Sequence, residues 1–526
     1  MSVLTATGTL ARSILHRDRV RIVVWILGAV ALVWSSAAGI KGLYDTPEKL
    51  RSAAAAVEGN AAAIAFNGPA QGLETLGGRI AFEAGTAGLV VVALMSLFMV
   101  GRQTRAEEES GRLELIRATV VGRHAPLAAA VAVVSAMNIV VAAATTVVVA
   151  AQGVPANGSV VFGLGFLAVG LAFTAIAALS GQFSENPRVG HGLAGAMVGL
   201  AFVLRAAGDI GDGTLSWLSP IGWAQKARPF AGEQWWPLIL PVLLAAGCLT
   251  AATALASRRD LGAGLFPPRP GPATAGPGLK TPLGLALRLQ RGGLLWWSVG
   301  VLSLGLVYGS VASDLEEFLA DNEALRDLLA RSGTNLIDSF FGTTLLILAI
   351  IGSGFGLQTA QRLRSEETAL RVEPLLATPV SRRRWMFSHL TVAFAGSAVV
   401  LAAGGLGLGL SYAMVTRDAG QLPPLVGDAL AYLPAVAVLI TLGAAVGGLM
   451  PRWAAASWAL LAFSLVMGFF GEILDLPSWV GALSPFEHTP LVPAEGLTVA
   501  PLLALAAVAA GLTLAGDHGF RRRDIG

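Results

Sequence analysis

Two stretches of this 526-residue chain carry charge in the same order: 105–123, RAEEESGRLELIRATVVGR, and 364–382, RSEETALRVEPLLATPVSR. Aligned without gaps they agree at nine of nineteen positions, among them Arg105/Arg364, Glu107/Glu366, Glu108/Glu367, Arg112/Arg371 and Glu114/Glu373. Carboxylates and guanidiniums at these spacings suit ion pairing and protein recognition. Glu108 stands four residues before Arg112, and Glu367 four before Arg371, the helical spacing and order that favour pairing. Leu113, Ile116 and Val120 in one copy, and Val372, Leu375 and Leu376 in the other, are expected to form the apolar edge of a short helix, with Pro379 ending the second or turning it back toward the next span. A single copy would read as a solvated collar of charge. Two copies with matching acids and bases argue for a docking surface, because a collar needs sign and number but not position.

Other chemistry is sparse. Cys248 is the only cysteine and lies in an apolar run, so an intrachain disulfide and a Cys-based metal site are excluded. The six histidines are scattered without ligand-like spacing. No lysine follows a glycine, so the chain has no GxxxxGK[ST] phosphate loop and a nucleotide that drives it must be bound elsewhere. A net charge of +3 gives no case for nucleic acid.

The elements around the charged stretches are apolar. With 54% hydrophobic and 13% charged residues, the chain falls far from soluble enzymes, in which about 25% of residues are charged. Runs long enough to cross a bilayer, roughly 20 residues, recur at 22–40, 84–101, 125–151, 160–180, 189–207 and 237–256. A Pro/Gly-rich linker, 257–291, cannot sustain a helix or strand. Six more runs follow at 292–313, 336–357, 388–415, 425–449, 453–471 and 499–515. The expected fold is an all-α polytopic membrane protein of about 12 helices, as two parallel six-span halves, 1–256 and 292–526, joined by the linker. The 259-residue offset between the charged stretches is close to half the chain, as a duplication requires. LSP at 218–220 and again at 483–485 precedes the last span of each half. Alternate loops on one side hold 26 of 36 basic residues but 12 of 33 acidic ones, which puts both charged stretches and both termini in the cytoplasm. The tryptophan-rich segment 208–236 is expected to rest in the headgroup layer or re-enter it. In 314–331, Leu315, Phe318, Leu319, Leu325, Leu328 and Leu329 have the spacing of an amphipathic helix on the outer face.

Taken together, the REExG…E.L.ATPVSR pattern after the second span of each half, and LSP with PFEHTPLVP before the last span, resemble the two-half membrane subunit of bacterial ABC-2 type exporters, especially actinobacterial permeases for polyketide or tetronasin-like antibiotics. The resemblance covers nearly the whole chain. The first copy has Val120 where the second has Pro379, and the second lacks the glycine at Gly111, so the two copies need not be equivalent. The resemblance implies that the charged stretches are coupling helices seated in two copies of a separately encoded ATPase, which holds ATP and Mg. It also implies a pathway between the second and fifth spans of each half. There Met95, Phe98, Met197, Phe202, Phe340, Phe341, Phe463, Met467, Phe469 and Phe470 offer a soft apolar surface suited to amphiphilic cargo, the plainer reading of any one of them being an ordinary lipid-facing or helix-packing residue. An ion-coupled secondary transporter would place ionisable residues deep in the spans; Arg205, Asp314, Asp338 and Glu472 stand near span ends. A non-transporting scaffold or sensor partner of an ATPase stays open at this point.

Overall fold

The structure, a computed structural model, describes every residue except 1, 58–60, 186, 260–262, 266–270, 321–335, 475–476 and 523–526. Among the described residues all regular structure is helical. Lipid offers no hydrogen bonds, and a helix satisfies its own backbone residue by residue. Eleven helices among the described residues are long and apolar enough to cross a membrane, so the chain is a polytopic all-α membrane protein. The remaining expected span, 453–471, falls on a 3-10 stretch, Pro451–Ala456, followed by the helix Ser457–Leu474. A separate amphipathic helix, Thr7–Arg17, precedes the first span; reading 22–40 as the first element overlooked it. Its Ile14 is buried, and Leu10 and Ala11 pack beside the core of the first unit.

Contacts divide the chain into two compact units, Met1–Gly271 and Pro272–Gly526. In the first, the helices Leu76–Gln103 and Ala156–Phe183 are the most enclosed. The former starts where the Thr75 hydroxyl accepts a hydrogen bond from the Gly78 N–H at 3.1 Å, a side-chain cap on an otherwise orphaned donor. A buried polar knot joins it to its neighbours: the Asn138 amide, on the helix Ala125–Ala150, donates to Ser96 at 3.1 Å and to Thr174 at 3.2 Å. Van der Waals packing and such hydrogen bonds replace the hydrophobic drive that lipid cannot supply.

In the second unit Leu336–Thr368 is the enclosed helix. Alongside, Pro282–Ala320 and Arg382–Thr416 run close enough that a Cβ on Gly305 or Gly407 would collide with the partner backbone. Ser381 caps the second of these through the Arg384 N–H at 3.2 Å.

The segment 208–236 folds back as a short buried helix, Pro220–Lys226, against the long helices of its unit, while Trp217 and Trp236 stack at 5.2 Å beside it. The two LSP motifs sit alike, although only the Ser219 hydroxyl caps its helix, accepting from the Gly222 N–H at 3.2 Å. Ser219 and Ser484 are buried and each leads into a short helix that begins with proline, Pro220–Lys226 and Pro485–His488. The amphipathic helix expected over 314–331 lies largely outside the described residues: Pro282–Ala320 reaches its beginning, and 321–335 with the side chains of Leu315, Phe318 and Leu319 are not described.

Candidate functional site

The two charged stretches share their ion pairs and their turn, although their helices break at different places. In the first unit Gln103 ends the long helix, and short helices Arg105–Glu109 and Arg112–Arg117 follow. In the second unit the long helix runs on to Thr368 before a short one, Val372–Leu376. Between the two parts the backbone turns through a left-handed residue, Gly111 at φ 71° and, at the aligned position, Leu370 at φ 55°. This turn corrects the expected pairing. Glu108 with Arg112, and Glu367 with Arg371, would meet only on an unbroken helix. Instead Arg112 reaches Glu107 at 3.6 Å and Arg371 reaches Glu366 at 3.8 Å. Glu108 takes Arg105 at 2.7 Å and Glu367 takes Arg364 at 3.0 Å. The match continues downstream: the Thr119 hydroxyl donates to the Ile116 carbonyl and Thr378 to that of Leu375, both at 2.6 Å. Arg123 then ties to the Ser257 carbonyl and Arg382 to that of Arg521, each at the end of its unit's last long helix.

Pro379 lies past the end of the second short helix, in the turn that leads into the next span, Arg382–Thr416. Both copies end at the same place, capped by Ala118 and Ala377, although only one has a proline. The expected apolar edge is also corrected: Leu113 and Val372 are buried and Leu375 and Leu376 pack on the core, but Val120 is 62% exposed. Leu370 adopts a conformation that suits glycine, and its side chain is exposed. Leu370→Gly is therefore expected to stabilise the second unit by about 1 kcal/mol, and Gly111→Leu to destabilise the first by a similar amount. Paired thermal melts check this, and a fall in melting temperature for Leu370→Gly would refute it.

Burial splits the predicted coupling residues into two sets. Arg105, Glu107, Glu366 and Glu367 are buried, and the Glu108 side chain is 8% exposed; they brace the segment inside the chain. Arg112, Glu114, Arg371 and Glu373 are exposed, with Leu115 beside them, and Arg364 is half-exposed. The first copy has further braces that no local pattern announced. Arg259 grips Glu108 through both of its terminal nitrogens at 2.9 and 2.7 Å. Arg105 reaches the Gly181 carbonyl, and Arg17 meets Glu107 at 3.2 Å.

Asp18, just after the N-terminal helix, is the hub of this bracing. It accepts from Arg21, Arg102 and Gln103 at 2.9, 3.0 and 2.6 Å. Burial raises its pKa, but the donors Gln103, Arg102 and Arg21 together outweigh it and bring the value down to about 2. A carboxylate depressed from 3.8 stabilises the fold fully above pH 3.8, and that contribution is lost as pH falls toward about 2. Asp18→Asn is expected to cost about 1–2 kcal/mol at pH 7, after discounting for its half-exposed arginine partners. The difference between the proteins should vanish in acid melts at about pH 2; a constant difference down to that pH would refute the linkage.

Within each unit the residues expected along a cargo pathway differ in burial. Met95 and Phe341 are buried in helix packing, on the enclosed helices Leu76–Gln103 and Leu336–Thr368. Phe98 is exposed and stacks on Trp25 at 6.3 Å, and Met197 is exposed. Phe202 lies under the Arg205 guanidinium at 4.7 Å, and Phe340, Phe463 and Met467 are half-buried. The side chains of Phe469 and Phe470 lie outside the described residues.

Residues 279–521 match the family model described as "Multidrug efflux system permease Rv1217c, C-terminal domain". Over 525 residues the chain is 40% identical to "Multidrug efflux system permease protein Rv1217c" of Mycobacterium tuberculosis (strain ATCC 25618 / H37Rv), covering 99% of this chain and 95% of that protein.

Proposed function

Because this chain belongs to the multidrug efflux system permease family, we propose that it is the transport subunit of an ATP-driven exporter of the ABC-2 type, its two charged stretches seated in two copies of a separate ATPase. The observation that carries the reading is the repetition of one braced geometry, with ion pairs, a left-handed turn and a threonine stop, in both units. A surface that only needed charge would not repeat its turn. ATP and Mg belong to the ATPase, whose closure would push both stretches at once. In the reading supported by the basic residues, both termini and both stretches face the cytoplasm of a bacterial plasma membrane. The cargo class is amphiphilic or apolar compounds such as antibiotics, in keeping with a relative named for multidrug efflux.

The test is reconstitution of the permease with and without an ATPase subunit that co-purifies with it. Export of a fluorescent amphiphile into vesicles is expected only with both proteins and ATP. Movement by the permease alone, driven by a proton or sodium gradient, would replace this reading with a secondary transporter.

A further inference from the structure

The first unit holds a recess of about 520 Å3, partly open to solvent, between the charged stretch and the ends of the long helices. Its lining includes Gln103, Pro126, Gln182 and Ala256, which stand at or near the ends of Leu76–Gln103, Ala125–Ala150, Ala156–Phe183 and Ile239–Arg258. Helices that cross a bilayer end at the headgroup layer, so the recess lies at headgroup depth.

Its charge is unbalanced. Arg117, Arg123 and Arg259 line it with a single carboxylate, Glu108. Both oxygens of Glu108 are already taken by Arg105 and Arg259. Arg117 donates to the Arg123 carbonyl at 2.8 Å and Arg123 to the Ser257 carbonyl at 2.6 Å. Among the described residues neither has a carboxylate within ion-pair distance. Burial first, and Arg123 second, depress the Arg117 pKa, as uncompensated positive charge does. His124, also in the lining, has a buried Nδ1 without a hydrogen-bond partner among the described residues. It precedes the helix Ala125–Ala150, whose first turn no side chain caps, and the dipole of that helix adds positive potential. The second unit differs. Leu376 stands at the position of Arg117, and Arg383, aligned with His124, is met by Asp517 at 3.3 Å.

We propose that this recess is a binding site for a phosphate ester, with Arg117 and Arg123 as its cationic forks and the headgroup of an anionic lipid as its ordinary occupant. Guanidinium matches phosphate oxygens in geometry and charge, and basic pockets between spanning helices recognise anionic headgroups. The site needs no ATPase, so failure of the coupling reading would leave it standing.

The test uses the full-length chain in phosphatidylcholine nanodiscs doped with photoactivatable phosphatidylglycerol or, in parallel, photoactivatable phosphatidylcholine. Adducts from the phosphatidylglycerol probe are expected within 103–127 and 256–259, and Arg117→Gln should weaken them about fivefold, as one surface cation does. Arg117 bonds only a backbone carbonyl among the described residues, so this variant is chosen over Arg123→Gln. If it fails to fold, the contrast between the two probes on the unaltered chain decides. Glycerol phosphate at millimolar concentration separates the sources. If it raises the melting temperature of the unaltered chain while neither lipid labels the recess, the phosphate ester is a soluble one. Equal labelling by both lipids together with no effect of glycerol phosphate, or full labelling of folded Arg117→Gln, overturns the site.

Discussion

Replacing Glu114 and Glu373 together by arginine is expected to strip the ATPase from the permease, with at least about a tenfold loss of co-purified partner, and to abolish export while the chain stays folded. Both carboxylates are exposed, in the first turn of short helices, and neither braces the segment. Their reversal should therefore move the thermal stability of the isolated chain little, by about 0.5 kcal/mol or less. Glu108→Arg with Glu367→Arg supplies the contrast. In the first unit the new cation would face Arg105 and Arg259 in a nearly closed site, which should cost about 3–5 kcal/mol. Pull-down of the ATPase and melts of the isolated permease separate the two cases. Normal partner recovery and export by Glu114→Arg/Glu373→Arg would sink the docking role of the exposed set.

Arg205→Ala should destabilise the first unit by about 3–5 kcal/mol, the cost of breaking a buried ion pair from one side. Arg205 is fully buried, 3.7 Å from Asp209. Its terminal nitrogens donate to the carbonyls of Ile64 and Phe66 at 3.3 and 3.2 Å, and the Ser216 hydroxyl donates to Asp209 at 2.6 Å. Truncation leaves a buried carboxylate unpaired and two carbonyls without their donor. Arg205→Met with Asp209→Leu should recover most of the loss, because the desolvation cost of both charges disappears with them. Denaturant unfolding of the three proteins in one detergent reads this directly, and a loss below about 1 kcal/mol for Arg205→Ala would show that water replaces the guanidinium.

Arg205 also marks a boundary of what the sequence tells. Its position near a span end was legible, but its partners were not. Asp209 is four residues away, whereas Ile64 and Phe66 come from a separate short helix, Ala61–Asn67. The same holds for Glu108 and Arg259, 151 residues apart, and for Asp18 with Arg102 and Gln103.

By itself the sequence determined the solvent, the helical class and the repetition of the charged stretch along the chain. These follow from composition, run length and a repeat, which are properties of the linear chain: about 20 apolar residues in lipid have a helix as their low-energy state. Only the tertiary structure decided which acid meets which base. One left-handed residue, Gly111 or Leu370, rotates everything after it and moves each arginine from the glutamate four residues back to the one five back. It also decided which charges are braces and which are handles, because burial depends on what other helices bring to the same place, and no spacing within one helix records that.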